Sequence, residues 1–391
     1  MNSGTYIFKQ VSQFLPKDYF EYLVNQYDGN KHIKSFTCWN HFMVMLWAQL
    51  TTRESLRDIV GSLNAHKSKF YRLGFGTSVC RTTLSEANEK RNIEIFRLFA
   101  ERIVEMAQKK KIAVDDLFME GIPHRVYALD STIVILELEK FGWSKVQQGK
   151  GGIKIHTLFD ILTSIPVYNI ITDHNIRDQS VMDYFQYEPN AFYVFDKAYL
   201  KLLSLREIDK IGGYFVVRRK QKMNFEILEE YDCDNREDGV LRDLKIVLSN
   251  RWAKARYKKP LRIIYYYSDE KKSVLEFFTN NMDLDAHKIA LLYKCRWQIE
   301  LYFKWIKQHL KIKQFYGTSE NAVKIQIYVG IIAYCLVALV GAEFKSKMSP
   351  FELLRILSVS LFEKENLKEF ILNAESSENL QSVSNLNLSL F

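Results

Sequence analysis

The chain reads as an α/β protein, α+β overall: a mixed sheet carrying a β-rich insertion, preceded by a helical N-terminal region and followed by C-terminal helices. Three observations predict this. Apolar residues recur at helical spacing early on, as in Phe42-Met43-Leu46-Trp47-Leu50 and Phe96-Phe99-Ile103-Met106. From Arg125 the texture changes to short β-branched or aromatic runs, RVYALDSTIVIL, GIKIHTLFDI, SIPVYNIIT and AFYVFD, separated by Gly, Ser and Pro turns. Helical spacing then returns and dominates from Leu284 to Asn373.

Within the first 120 residues, Thr51 with Glu54 and Thr83 with Glu86 have the spacing of capping boxes, so helices are expected to begin near Arg53 and Leu84. Arg53, Arg57, Lys67, Lys69, Arg72, Arg81, Lys90 and Arg91 are spread over these short helices. That pattern suits a helix-turn-helix DNA-binding unit, and equally a plain bundle whose polar face is basic. Between the strands, SVMDYF and LKLLSLREIDK supply helical pieces and GYFVVR another strand, the alternation of a mixed α/β sheet. FEILEEYD, VLRDLKIVL, LRIIYYYSD and SVLEFFTN then form a small β insertion over about 219–283. Ser349-Pro350-Phe351-Glu352 signals a helix start, with a cap, Pro at the first helical position and Glu soon after. The tail from Glu375 is rich in Ser, Asn and Leu and reads as frayed. The expected division is a helical N-terminal domain, 1–120, a central domain, 121–345, and a C-terminal helical region, 346–391.

A chain of 391 residues accommodates two or three domains. An apolar fraction of 47% excludes the disordered and collagen-like classes. The net charge of +9 favours an anionic partner, nucleic acid being the commonest. Cys38, Cys80, Cys233, Cys295 and Cys335 have no paired spacing, so neither a disulfide framework nor a zinc module is indicated. MNSGTYIFKQ is not a signal peptide, and a cytoplasmic, nucleoid-associated protein without a membrane partner is expected. The apolar run Val329 to Ala342 is shorter than the roughly 20 residues a membrane span needs, and predicts a buried core helix.

The richest segment is Tyr293 to Lys307. On one continuous helix, with Tyr293 at zero, Arg296 falls at about −60°, Glu300 at about −20°, Lys304 at about +20°, Lys307 at about −40° and Lys311 near 0°. These six share one stripe, and Leu292, Ile299, Leu301, Tyr302, Phe303, Trp305, Ile306 and Leu310 occupy the rest of the circle. Arg296–Glu300 and Glu300–Lys304 have salt-bridge spacing. One acid among four bases nevertheless leaves most of the charge unpaired, and a solvating face has no need of the tyrosine. Trp297 borders the stripe, where it either stacks on a base or joins the core. Asp130, in VYALDSTIV, and Asp196, in FYVFDKAY, each lie near the polar end of an apolar strand, as a turn cap or as a metal ligand. Lys154 and His156 alternate on one strand face, the histidine reading as hydrogen-bonded within the sheet. Asp178 reads as the cap of a short helix.

Asp130, Asp196 and Glu300 together resemble the catalytic triad of the DDE transposases. Tyr293-x2-Arg296-x3-Glu300-x6-Lys307 is similar, residue for residue, to the signature of the insertion-sequence-four family, and Phe195-Asp196-Lys197-Ala198-Tyr199 resembles its second motif. Residues 16 to 91, with SFTCWNHFMVMLWAQL and RTTLSEANEKR, look like the N-terminal domain of a branch of these enzymes. The resemblance implies a ribonuclease H-like catalytic domain with Asp130 on the first strand, Asp196 on the fourth and Glu300 on a following helix. It also implies a bacterial insertion-sequence transposase that binds terminal inverted repeats, then cuts and joins strands. The three carboxylates would hold two Mg²⁺ ions, with Mn²⁺ as a substitute. Tyr293, Arg296, Lys304, Lys307, Lys311 and Trp297 would face DNA. Double-stranded DNA, both element ends and target, would be bound by a homodimer in the synaptic complex. The alternatives are a ribonuclease H-like nuclease without strand transfer and an inactive DNA-binding derivative.

Overall fold

The structure, a computed structural model, describes residues 4–76, 78–114, 125–137, 139–144, 151–219, 223–233, 239–309 and 315–384. They form two compact units: Met1–Asp116 with Ile135–Gly151 and Lys304–Phe391, and Leu117–Val134 with Gly152–Phe303.

The first unit is helical and is organised by one element. The helix Glu320–Glu343 is apolar around its whole circumference, and nearly every residue from Ala322 to Ala342 is buried. Such a helix needs cover on every side. Helices Ile93–Val114, Cys38–Leu50, Arg81–Lys90 and Pro350–Ser360 supply it. N-terminal and C-terminal segments therefore share one core, where the sequence suggested a boundary near 120 and a separate region after 345. Among the described residues, this is the one helix long and apolar enough to cross a membrane, and its apolar stretch is wholly buried. The Val329–Ala342 run is thus a core helix, as its length predicts.

Helix starts follow local chemistry. Ser349 and Glu352 form the expected capping box, with Pro350 at the first position. The two N-terminal boxes do not form. Thr51 ends the helix Cys38–Leu50, its hydroxyl donating to the Trp47 carbonyl at 2.8 Å. Ser55, accepting from the Asp58 amide, caps Leu56–Ala65 instead. Thr83 lies within Arg81–Lys90, which Cys80 precedes. The buried run up to Leu50 carries the first helix as far as Thr51, leaving Ser55-x-x-Asp58 to open the next.

The second unit is built on a nine-stranded sheet of β1 Val126–Leu136, β2 Gly151–Asp160, β3 Ile165–Asp173, β4 Phe192–Phe195, β5 Tyr214–Arg218, β6 Phe225–Tyr231, β7 Val240–Leu248, β8 Leu261–Ser268 and β9 Ser273–Thr279. The order is β3-β2-β1-β4-β5-β9-β8-β7-β6. β1, β4 and β5 run parallel, while β2 and β3 pair antiparallel. This is the ribonuclease H-like mixed sheet that the resemblance implies. The insertion is not a separate piece: β9 pairs antiparallel with β5, so β6 to β9 extend the same sheet. Helices Leu202–Lys210 and Ala286–Cys295 pack on β5. The core includes Leu129, Leu158, Phe195, Tyr199, Leu205, Phe215 and Ile263.

Candidate active site

The sheet places the two aspartates. β1 and β4 are parallel neighbours with Leu129 opposite Phe195, so Asp130 and Asp196 are the next residues along each strand and lie side by side. Four buried residues, Val126 to Leu129, precede Asp130, and beyond it β1 alternates between buried and partly exposed. Asp196 follows β4 directly and opens the 3₁₀ turn Lys197–Tyr199. Asp196 thus stands just past the carboxyl end of β4, the usual place for ligands in such sheets, and Asp130, within β1, lies beside it where the parallel pairing with β4 ends.

The helical contribution differs from the single continuous helix expected. Ala286–Cys295 ends, Arg296 forms a joint, and a new helix runs over Trp297–His309. At the joint the Arg296 amide reaches back three residues to the Tyr293 carbonyl, and the Ile299 amide likewise to Arg296. These two bonds tighten the backbone at the joint, yet Tyr293, Arg296 and Glu300 remain clustered. The Tyr293 hydroxyl donates to Asp196 Oδ1 at 3.3 Å. Arg296 Nη1 donates to Asp130 Oδ2 at 2.7 Å and Nη2 to Glu300 Oε1 at 2.5 Å. The segment Tyr293–Glu300 so hydrogen-bonds both aspartates, which lie 166 and 97 residues away from their partners in sequence, and ties Glu300 to Asp130 through Arg296.

The surroundings of Asp130 oppose its ionisation. Burial pushes the Asp130 carboxyl up to about 6; the Arg296 guanidinium opposes this, and the negative charges of Glu300 and Asp196 add to the rise. Burial also pushes the Tyr293 hydroxyl up to about 12, so it stays a neutral donor. An all-carboxylate set is the oxygen chemistry that Mg²⁺ takes. Among the described residues no three His, Cys, Asp or Glu side chains are gathered tightly enough to hold an ion. Here Arg296 stands between Asp130 and Glu300. The donor types fit a divalent cation, and a guanidinium occupies the position between them.

The residues read as facing DNA fall into two groups. Tyr293 is buried and Arg296 largely so, both turned to the acids. Lys304 and Lys307 are exposed, and Trp297 is 58% exposed, which removes the core role considered for it. Leu301 is also half exposed, so the apolar face is narrower than a full wheel suggests. Lys311 lies outside the described residues.

A second cluster adjoins Asp130. The Ser131 hydroxyl donates to Asp178 Oδ1 at 2.9 Å, and Lys154 Nζ reaches the same oxygen at 3.1 Å and the Ile176 carbonyl at 2.8 Å. Asp178 therefore ties β1 to β2, rather than capping the short helix Asp178–Val181, which has no side-chain cap. His156 hydrogen-bonds Thr172 at 3.1 Å across β2 and β3, as its strand position predicts, and burial pushes its pKa down to about 4, keeping it neutral. Ser131 was not singled out from the sequence. Its place beside Asp130 and opposite the Lys154/His156 face was the available signal.

Residues 121–336 match the family model described as a transposase DDE domain, and residues 3–76 match one described as a domain of unknown function, DUF4372. A Sinorhizobium fredii protein described as a candidate transposase, y4zB, is 31% identical over 242 residues, 61% of this chain and 67% of that protein. A Synechocystis protein described as a candidate transposase for insertion sequence element IS4SA is 26% identical over 358 residues, 88% of this chain and 95% of that protein. A Geobacillus stearothermophilus protein described as a candidate transposase for element IS5377 is 26% identical, over 55% of this chain and 56% of that protein. A solved piggyBac transposase synaptic complex with hairpin DNA shows 9% identity and a TM-score of 0.45, covering 97% of this chain and 85% of that one.

Proposed function

The chain belongs to the DDE transposase family, and we propose that it binds the terminal inverted repeats of a bacterial insertion sequence, cuts the strands there and joins them to target DNA. The observation that carries this reading is the register of β1 on β4, which sets Asp130 beside Asp196, with Arg296 linking Asp130 to Glu300.

In this reading Asp130, Asp196 and Glu300 are the metal ligands, for two Mg²⁺ ions that Mn²⁺ can replace. A metal held there would supply the activation of a water or 3′-hydroxyl and the stabilisation of the leaving oxygen. The remaining roles belong to side chains. Tyr293, neutral through burial, orients the Asp196 carboxylate by its hydrogen bond. Lys154 and Ser131 fix Asp178, which holds β1 and β2 together beside Asp130. Lys304, Lys307 and Lys311 meet phosphates, Trp297 offers an exposed ring to a base, and Arg296 turns from the acids to DNA. The Tyr–Arg–Glu–Lys spacing supports a place in the insertion-sequence-four group. A homodimer holding both ends, working on double-stranded DNA in the cytoplasm at the nucleoid, completes the proposal.

The test uses labelled DNA ends bearing the inverted repeats that flank the gene, incubated with Mg²⁺ and an unlabelled target. Joined products are expected. Cut ends that never join would leave the nuclease reading, and bound but intact ends the inactive derivative.

A further inference from the structure

Arg296 divides one guanidinium between two acids on different elements: Asp130 on β1 and Glu300 on the helix Trp297–His309. Its side chain is 14% exposed, and its third nitrogen, Nε, is buried with no hydrogen-bond partner. The guanidinium thus cancels the mutual repulsion of crowded carboxylates, which is what a bound cation would do there. It does so with one donor unsatisfied, a cost in a low-dielectric place. An arginine cannot leave by giving up its proton. It leaves only by swinging to another anion, and its planar fork matches a phosphate as well as a carboxylate.

We propose that Arg296 is a built-in counter-ion of Asp130 and Glu300, which a divalent cation must displace and which a DNA phosphate draws away. Metal binding and DNA binding are then coupled through this one side chain. This rests on the three acids being metal ligands. Without DNA, the guanidinium competes with the metal for the same two carboxylate oxygens and metal affinity is low. With DNA, Arg296 has a second partner, the oxygens are released, and affinity rises. By reciprocity the metal raises DNA affinity by the same factor. The joint between the two helices sits at Arg296 itself, so its side chain can reorient at a break in the helical ladder.

Mn²⁺ alone is the probe, its free concentration read by electron paramagnetic resonance in the full chain. Each titration is repeated with a short duplex of arbitrary sequence and corrected for Mn²⁺ bound by that duplex alone. The wild-type protein should gain Mn²⁺ affinity on adding DNA, by about tenfold, within the range usual for coupled sites. Arg296→Gln should bind Mn²⁺ tighter than wild type by a similar factor without DNA, and gain little more with it. Arg296→Lys keeps the charge but cannot span both acids, and should fall between the two. It also serves as the measured variant if Arg296→Gln does not fold. A folded variant with wild-type or weaker Mn²⁺ affinity, or a wild type indifferent to DNA, overturns the coupling. Adding Glu300→Gln or Asp196→Asn to Arg296→Gln should abolish binding. Undiminished binding there would instead overturn the assignment of the acids as ligands, on which the proposal stands.

Discussion

Arg262 and Arg296, two of the arginines in the sheet unit that meet carboxylates, differ in how fully their nitrogens are satisfied. Arg262 on β8 gives Nε and Nη2 to both oxygens of Asp243 on β7, at 2.8 and 2.5 Å, and Nη1 to the Leu284 carbonyl at 2.5 Å. Every nitrogen has an acceptor, both side chains are below 10% exposed, and the Leu284 contact lies directly before the helix Ala286–Cys295. Arg296 at the end of that helix is split between two acids and keeps an orphaned Nε. A saturated pair holds one geometry. A divided, incompletely satisfied one has something to gain from a new partner.

The largest effect is expected at the saturated pair. Arg262→Ala leaves the Asp243 carboxylate buried and alone, and should cost about 3–5 kcal/mol by denaturant titration. Replacing Arg262 and Asp243 together by Met and Leu should restore most of that loss. If the single variant loses little, the pair is not the anchor of the signature helix and the contrast with Arg296 weakens.

A pH titration of stability probes the divided pair. Because the folded-state pKa of Asp130 is raised from 3.8 to about 6, the folded protein binds a proton there that the unfolded chain has already lost. Stability from this group is therefore fully present below about 4 and is lost as pH rises toward 6, by roughly 3 kcal/mol at most. In metal-free buffer, Asp130→Asn should flatten the slope in that window. An unchanged slope would mean that Asp130 titrates as an ordinary surface acid.

The smallest effect concerns the exposed side of the same helix. Lys307→Ala should change stability by only a few tenths of a kcal/mol. The slope of log DNA affinity against log salt should nonetheless fall by about one unit, the loss of one phosphate contact. A wild-type slope would remove Lys307 from the DNA surface.

Much of the site was legible in the sequence because its information is local. Each aspartate ends an apolar run, and the Tyr293–Arg296–Glu300 spacing survives even a helix break. The break itself was not legible: Ala286 to His309 contains neither Gly nor Pro, so nothing marks Arg296 as a joint. Trp297 was placed ambiguously because a helical wheel gives direction but not what lies opposite. The all-round apolar helix Glu320–Glu343 announced its burial, whereas its neighbours, drawn from both ends of the chain, depend on packing that no local pattern records. The joining of the insertion to the main sheet is of the same kind, since it rests on Val216 pairing with Thr279 across the whole inserted segment.

The central claim is that Asp130, Asp196 and Glu300 act as one metal-holding set. Mg²⁺-dependent cleavage of labelled element ends by Asp130→Asn, Asp196→Asn and Glu300→Gln, with end binding measured on the same preparations, tests it most directly. In metal-free buffer each variant is predicted to bind ends at least as well as wild type, since removing a carboxylate cannot weaken attraction to phosphate, and in Mg²⁺ to cut none of them. Appreciable Mg²⁺-dependent cutting by any one variant would contradict the account and remove that residue from the set.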